Sequence, residues 1–270
     1  MAQGAILCVL DDDTMLPDGA LEECLPYLDL PQAGLVYGLP YYVNFSNLWS
    51  SLLAYFVDSQ SLLTYLPYLA ATDPFTINGM FYAVRSERWA ACGGFVGLEH
   101  TLADDFAVAQ RVREHGLRLI QTPLRHAIST QVTSSRHFLN LMQRWFIFPR
   151  ESLLRHLSSR DRVVLLGLGM LPAFLPLAVI VALMLRRDRS TARYALAYFG
   201  YRFTIFAHLN RAYLGSAAPW RYAWCVPVLE VIFPLQLLAA LLAPQRIVWR
   251  GHVMQAERGG GFRFVQRRSK

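Results

Sequence analysis

The hydrophobic pattern changes its period along the chain. Residues 5–10, AILCVL, form a short apolar run of β-compatible residues bounded by turn signals, the pattern of a strand buried on both faces. Such a strand needs neighbours: either later strands flank it, or upstream βαβ units are lacking. Asp18 to Leu28, DGALEECLPYL, predicts a short helix with Asp18 as N-cap. Ala33 to Val43 predicts the next strand, and the aromatic, mixed stretch from Phe45 to Leu69 predicts a helix near a bilayer surface. TINGMFYAVRSERWAACGGF, from Thr76, gives a strand ending near Val84, a helical turn and a break at Gly93–Gly94. In LADDFAVAQRVREHG the apolar positions Phe106, Ala109 and Val112 recur at helical spacing, acids precede them and Gly116 stops the helix. LRLIQTP follows as a strand. Strand and helix in alternation, with carboxylates at strand ends and helix starts, predict an α/β sheet whose ligands sit at its carboxyl edge.

Beyond Arg162 the apolar runs lengthen. Val163 to Leu185 contains no charged residue, and about 23 residues at ~1.5 Å each span ~35 Å, enough for a hydrocarbon core of ~30 Å. Tyr222 to Pro244 is a second candidate span, carrying one acid, Glu230. Tyr194 to Leu209 is shorter and holds Arg202, either a third span or an interfacial helix; pairing of Arg202 with Glu230 lowers the cost of burying both. Positive charge flanks every candidate: Arg150, Arg155, Arg160 and Arg162 before the first, Arg186, Arg187, Arg189 and Arg193 after it, and seven Arg/Lys after Pro244. Two or four crossings put the sheet and the C-terminus on one side; three separate them.

Composition sharpens this division. The hydrophobic fraction is 54%, mean hydropathy is +0.27 and only 17% of residues are charged, so part of the chain faces lipid. The net charge of +7 conceals a split: residues 1–115 hold 14 Asp/Glu against 4 Arg/Lys, and residues 116–270 hold 5 against 22. An acidic first part suits a cationic ligand, and a basic second part suits anionic lipid or phosphate. Nucleic acid is not an expected partner, because the basic residues are interleaved with long apolar runs and carry no reading motif. Cys8, Cys24, Cys92 and Cys225 are scattered without a CxxC pair or a nearby His cluster, against both a disulfide framework and a structural zinc site. The opening residues lack a basic flank, and GAILCVL is too short for a secretory signal and ends in acid.

Three stretches carry candidate chemistry. Asp11 and Asp13, at the end of the first strand, can place oxygens toward one point, as Mg²⁺ or Mn²⁺ requires, and the ion would then accept diphosphate oxygens. The same residues also read as a solvated turn leading into a capped helix. Asp104–Asp105 read either as the stabilising acidic start of a helix or as the source of a general base aimed at an acceptor hydroxyl. Arg144 and Trp145, just before the first apolar span, read as membrane-interface anchors, or as a cation for a departing diphosphate and a wall for the acceptor.

In order, the stretches DDDTMLPDGAL, GLVYGLPY, NGMFYAVRSERWAACGGF, ADDFAVAQRVREHGLRL, QRW and APQRIVWRGH resemble the membrane glycosyltransferases of the family 2 type, most closely the ceramide glucosyltransferase group, over Leu7 to about Gly251. The resemblance implies a GT-A type nucleotide-diphospho-sugar transferase domain over residues 1–150, an interfacial linker over 151–162, a membrane region of two or three apolar helices over 163–245 and a basic tail over 246–270. It assigns Asp11 and Asp13 to the metal and the donor diphosphate, Arg144 and Trp145 to the donor side, Asp105 to the inverting base, and Asn78, Gly79 and Asp104 to the acceptor side. Leu141 stands where the family's (Q/R)-x-x-R-W motif begins, so the contact of that polar side chain is missing or passes to Gln143 or Asn140. The resemblance also implies upstream strands with an earlier aspartate behind an N-terminal membrane helix; nothing before Met1 matches them, and the domain is expected to be N-terminally incomplete.

The expected activity is transfer of a hexose from a nucleotide-diphosphate sugar such as UDP-glucose to a membrane lipid hydroxyl, ceramide-like or hopanoid-like, with inversion. The enzyme is expected in the inner cell membrane, multi-pass, with its catalytic domain cytoplasmic. Two alternatives stand beside it: a processive polysaccharide synthase, which needs a polymer channel, and a non-catalytic membrane scaffold or partial gene product.

Overall fold

The structure, a computed structural model, describes residues 4–148, 157–215, 217–242, 245–249, 251–257 and 260–267. Most of the predicted linker, with Arg150 and Arg155, lies outside them, as do Pro244, Arg250, Arg258, Arg268 and Lys270.

Five strands form a mixed sheet: β1 (Ile6–Leu10), β2 (Thr14–Met15), β3 (Ala33–Tyr42), β4 (Phe81–Arg85) and β5 (Arg118–Ile128), in the order β1-β4-β3-β5-β2. Only β3 and β5 run parallel; β4 is antiparallel to both β1 and β3. β3 is buried over nearly its whole length, as its continuous apolar run predicts. β1 departs from expectation. It is an edge strand paired only with β4 among the described residues, with Cys8 and Leu10 exposed, so it is not buried on both faces.

Helices cover both faces. On one, α1 (Ala20–Cys24) and the 3₁₀ turn Leu25–Asp29 pack Ala20, Cys24 and Leu28 against Val36, Phe81 and Leu124. Asp18 does not cap α1. The N-cap is Gly19 at φ 73°, a left-handed conformation that glycine adopts without steric cost. On the other face, α4 (Ser86–Ala91) and α5 (Asp104–Glu114) bury Trp89, Val108, Ala109 and Val112 against Leu35, Tyr82 and Leu119. Phe106, Ala109 and Val112 are buried as the helical spacing predicts.

The expected surface helix is instead an internal one. α2 (Leu48–Gln60) is buried from Ser50 to Ser59 and continues through a π turn, Ser61–Tyr65, into α3 (Leu66–Ala71). It starts cleanly, because the Asn47 side chain accepts hydrogen bonds from the backbone N–H groups of Trp49 and Ser50. Its polar residues are paired inward: Asp58 Oδ1 accepts from Tyr42 N at 2.8 Å, and Ser50 Oγ both accepts from Val132 N and donates to Val132 O.

The first predicted span lies within α7 (Ser159–Arg186), 28 residues whose most apolar window has mean hydropathy 2.5 and is 12% buried. It is the one helix among the described residues long and apolar enough to cross a bilayer. α8 (Arg189–Leu214) extends well beyond the predicted Tyr194–Leu209, and α9 (Cys225–Leu242) is a shorter apolar helix. Arg202 on α8 and Glu230 on α9 pair as anticipated, Nε to Oε1 at 2.8 Å. The largest core cluster joins the carboxyl ends of β3 and β5 to α2, to α6 (Ser135–Phe148) and to α8 and α9, so the sheet and the apolar helices share one interior. The C-terminal segment is not an open basic tail. β6 (Arg246–Trp249), β7 (His252–Ala256) and β8 (Phe262–Gln266) form an antiparallel sheet that packs Ile247 and Met254 on Ile147 of α6. All four cysteines are free thiols.

One glycine governs the fit of β3 on β5. Gly38 lies within the register shift between Tyr37 and Leu39, and a Cβ there would stand 2.7 Å from His126 Nδ1 and 2.8 Å from the Leu124 carbonyl oxygen. Gly38→Ala is expected to cost roughly 1–3 kcal/mol through overpacking, read as a lower denaturation midpoint of the purified chain in detergent micelles. An unchanged midpoint would contradict this tight packing.

Candidate active site

β1, β3 and β5 all end at one edge of the sheet, where β4 begins. Asp11 follows β1 directly; its N–H donates to the carbonyl of Met80, the residue before β4, at 2.9 Å. Thr14 N then donates to Asp11 O, closing a turn that leaves Asp11 and Asp12 exposed and Asp13 half-buried. Asp13 is anchored to the end of β5: its carboxylate accepts from Thr130 Oγ1, and its carbonyl accepts from Ser129 N at 3.0 Å. The Tyr42 hydroxyl, at the end of β3, also hydrogen-bonds Thr130. The aspartates therefore sit at the predicted carboxyl edge, one of them held by strands far away in sequence.

Partial burial raises the Asp11 carboxyl above its ordinary range, and the charges of Asp13, Asp104 and Asp12 raise it further; Arg144 opposes them. This is a local excess of negative charge. Among the described residues no three His, Cys, Asp or Glu side chains gather as a metal cluster. A donor set of Asp11 and Asp13 suits Mg²⁺ or Mn²⁺, an ion that fills the rest of its shell with water and substrate phosphate oxygens, and its charge would relieve the repulsion.

Asp104 and Asp105 open α5, but neither is its N-cap. That position is Ala103, without a side-chain cap. Asp104 Oδ1 accepts from Asp105 N at 3.1 Å, and Asp105 Oδ1 accepts from Phe106 N at 2.7 Å. Burial pushes the Asp105 carboxyl up to about 7, the Asp104 and Asp11 charges adding to the shift and the hydrogen bond from Phe106 opposing it. Such a group takes and releases a proton near neutrality.

Gly79 lies against this carboxylate: a Cβ at Gly79 would stand 3.0 Å from Asp105 Cβ. Its neighbour Asn78 donates through Nδ2 to the Gly38 carbonyl at 2.9 Å, and Asn78 Oδ1 is buried without a hydrogen-bond partner among the described residues. Of the three residues expected on the acceptor side, Gly79 lies against Asp105, Asn78 precedes it in the chain, and Asp104 is hydrogen-bonded to the Asp105 N–H.

Arg144 and Trp145 lie on α6, a helix that the sequence pattern does not announce. The Arg144 charge is felt at both Asp11 and Tyr42. Trp145 stacks on Phe56 of α2 with ring centroids 6.2 Å apart. Leu141, at the position of the motif's missing polar residue, packs against the large core, while Gln143 Nε2 donates to the Arg246 carbonyl of β6. Thr130 and Tyr42 went unnoticed in the sequence, because their role depends on strand ends that converge only in three dimensions.

No curated protein matches the chain. The family model described as glycosyl transferase family 21 matches residues 1–262, from before β1 to the first residue of β8. That match is narrower than the family 2 resemblance and lies in the family that includes ceramide glucosyltransferases. A sugar nucleotide and an acceptor are the reactants of such an enzyme, and with nearly its whole length matched, this glycosyltransferase chain belongs to glycosyl transferase family 21.

Proposed function

We propose that the enzyme moves a hexose from a nucleotide-diphosphate sugar, UDP-glucose or a close analogue, to the hydroxyl of a membrane lipid such as ceramide, with inversion. The observation that carries this reading is Asp105, a carboxylate poised near pH 7 at the sheet edge that also bears Asp11 and Asp13. Asp105 takes the lipid hydroxyl proton as the oxygen bonds to the sugar's anomeric carbon; the bond from that carbon to the diphosphate breaks, its electron pair leaving with the phosphate. Arg144 offsets the charge on the departing diphosphate, and Trp145 walls the acceptor. A divalent cation held by Asp11 and Asp13 would supply further charge neutralisation there.

The interior that the sheet edge shares with the apolar helices supports a lipid acceptor. α7, at ~1.5 Å per residue, is ~42 Å long, enough to span a ~30 Å hydrocarbon core. We place the protein in the inner cell membrane as a multi-pass enzyme, with the sheet on the cytoplasmic side.

The test is incubation of the whole chain in lipid nanodiscs with labelled UDP-glucose, Mn²⁺ and ceramide. One hexosyl lipid is expected, with anomeric configuration opposite to the donor's. A long polymer would identify a processive synthase instead, and neither transfer nor donor binding would leave the scaffold reading.

A further inference from the structure

A cavity of about 50 Å³ lies between α2, α7, α8 and α9, and no aspartate lines it. Leu168, Pro172 and Pro176 of α7 form its apolar wall. Leu171 and Leu175, on the same helix, are exposed, so the wall belongs to a helix that presents apolar side chains outward. Its polar lining comes from Ser59, Gln60, Arg202 and Glu230.

Glu230 is the informative member. Its side chain is 8% exposed, Oε1 accepts from Arg202 Nε at 2.8 Å, and Oε2 is buried without a hydrogen-bond partner among the described residues. An unmatched carboxylate oxygen in an apolar setting is costly, and a ligand that donates to it recovers that cost. Ser59 Oγ already donates its proton to the Phe56 carbonyl at 3.0 Å, so toward the cavity it too can only accept. Toward Glu230 and Ser59, as distinct from the donor side chains Arg202 and Gln60, the cavity therefore asks for a donor. The space is enough to admit a hydroxyl or an amide N–H.

Phe56 links this cavity to the reaction site. It lines the cavity, its ring centroid lies 5.4 Å from that of Phe233 on α9, and it also stacks on Trp145. We infer that the cavity between α2, α7, α8 and α9 is a specificity subsite in which Glu230 accepts a hydrogen bond from a second donor of the lipid acceptor, one beyond the hydroxyl that receives the sugar. The inference rests on the lipid-acceptor reading given above. It makes the Arg202–Glu230 pair a recognition device in addition to a means of lowering the cost of two buried charges.

Binding to the whole chain in nanodiscs separates the possibilities, with ceramide, which carries an amide N–H and a second hydroxyl, set against diacylglycerol, which has a single hydroxyl. The wild-type chain is expected to bind ceramide at least tenfold more tightly. Glu230→Gln is expected to remove most of that preference without changing diacylglycerol binding. Ala173→Phe, which fills the cavity and leaves the ion pair in place, is expected to do the same, and it keeps the test open if Glu230→Gln does not fold. Equal affinity for the two lipids, or full ceramide preference in both folded variants, overturns the subsite. Ceramide preference without any sugar transfer would leave the subsite standing and remove the proposed reaction; transfer without preference would do the reverse.

Discussion

Asp105→Asn is expected to lower the rate of sugar transfer by about 10³-fold, within the usual contribution of a general base, while donor affinity stays within about twofold. The substitution keeps the size and the oxygen that accepts from Phe106 N, and removes only the ability to take a proton. For the wild-type enzyme the rate should rise with pH as the carboxylate forms, with a midpoint no higher than the metal-free value of about 7, because the carboxylate is the active form and the carboxylic acid is not. The residual rate of the variant should be flat over the same range. Stability should move the other way. A carboxyl whose folded pKa is raised from its ordinary value to about 7 favours the folded state only while protonated, so stability is fully present below about 4 and is lost as pH rises through 7. At pH 8 the Asn variant should be more stable by on the order of 2 kcal/mol, allowing for solvent screening of a partly open side chain. A near-normal rate in the variant would remove Asp105 from the mechanism, whatever its stability.

Much of the sheet was legible because its signals are local. The unbroken apolar run of β3 needs no partner to be recognised, and in α5 the spacing of Phe106, Ala109 and Val112 reports one buried face. Arg202 and Glu230 could be paired from the sequence because two isolated charges in apolar helices have few other ways to lower their cost. What failed depended on neighbours. The run at β1 shows that burial is affordable, not how many strands flank it. α2 is hard to place because its buried face carries Ser50, Ser51, Asp58 and Ser59, residues that look solvent-facing until Val132, the Asn47 carbonyl, Tyr42 N and the Phe56 carbonyl each pair with one of them. Charge hid the C-terminal sheet: Arg246 and Arg263 flank positions such as Ile247 and Met254 that are buried only once α6 supplies Ile147. In the site, the carboxylates were visible as an unusual acidic cluster, whereas Thr130 and Tyr42 are ordinary strand residues until the edge assembles.

Asp13→Asn should weaken Mn²⁺-dependent binding of the sugar nucleotide by about 100-fold or more, since a cation held by two protein carboxylates loses one of them. Thr130→Val should have a smaller effect of the same kind, about 10–100-fold in metal affinity, because the Asp13 carboxylate then loses the hydroxyl that orients it but keeps its charge. A readout at Asp105 is linked to this one. The negative charge of Asp11 helps raise the Asp105 carboxyl to about 7, so a cation bound beside Asp11 must pull that value down. The reciprocal follows by linkage: ionising Asp105 must tighten the cation. In the wild-type enzyme the pH–rate midpoint measured at saturating Mn²⁺ should therefore lie below the value for the metal-free chain followed by carboxyl titration, and Asp13→Asn should need much more Mn²⁺ to produce the same displacement. Donor affinity indifferent to Mn²⁺ in the wild-type chain, or a midpoint that ignores the ion, would take the cation away from the aspartates and leave Arg144 as the group that meets the diphosphate.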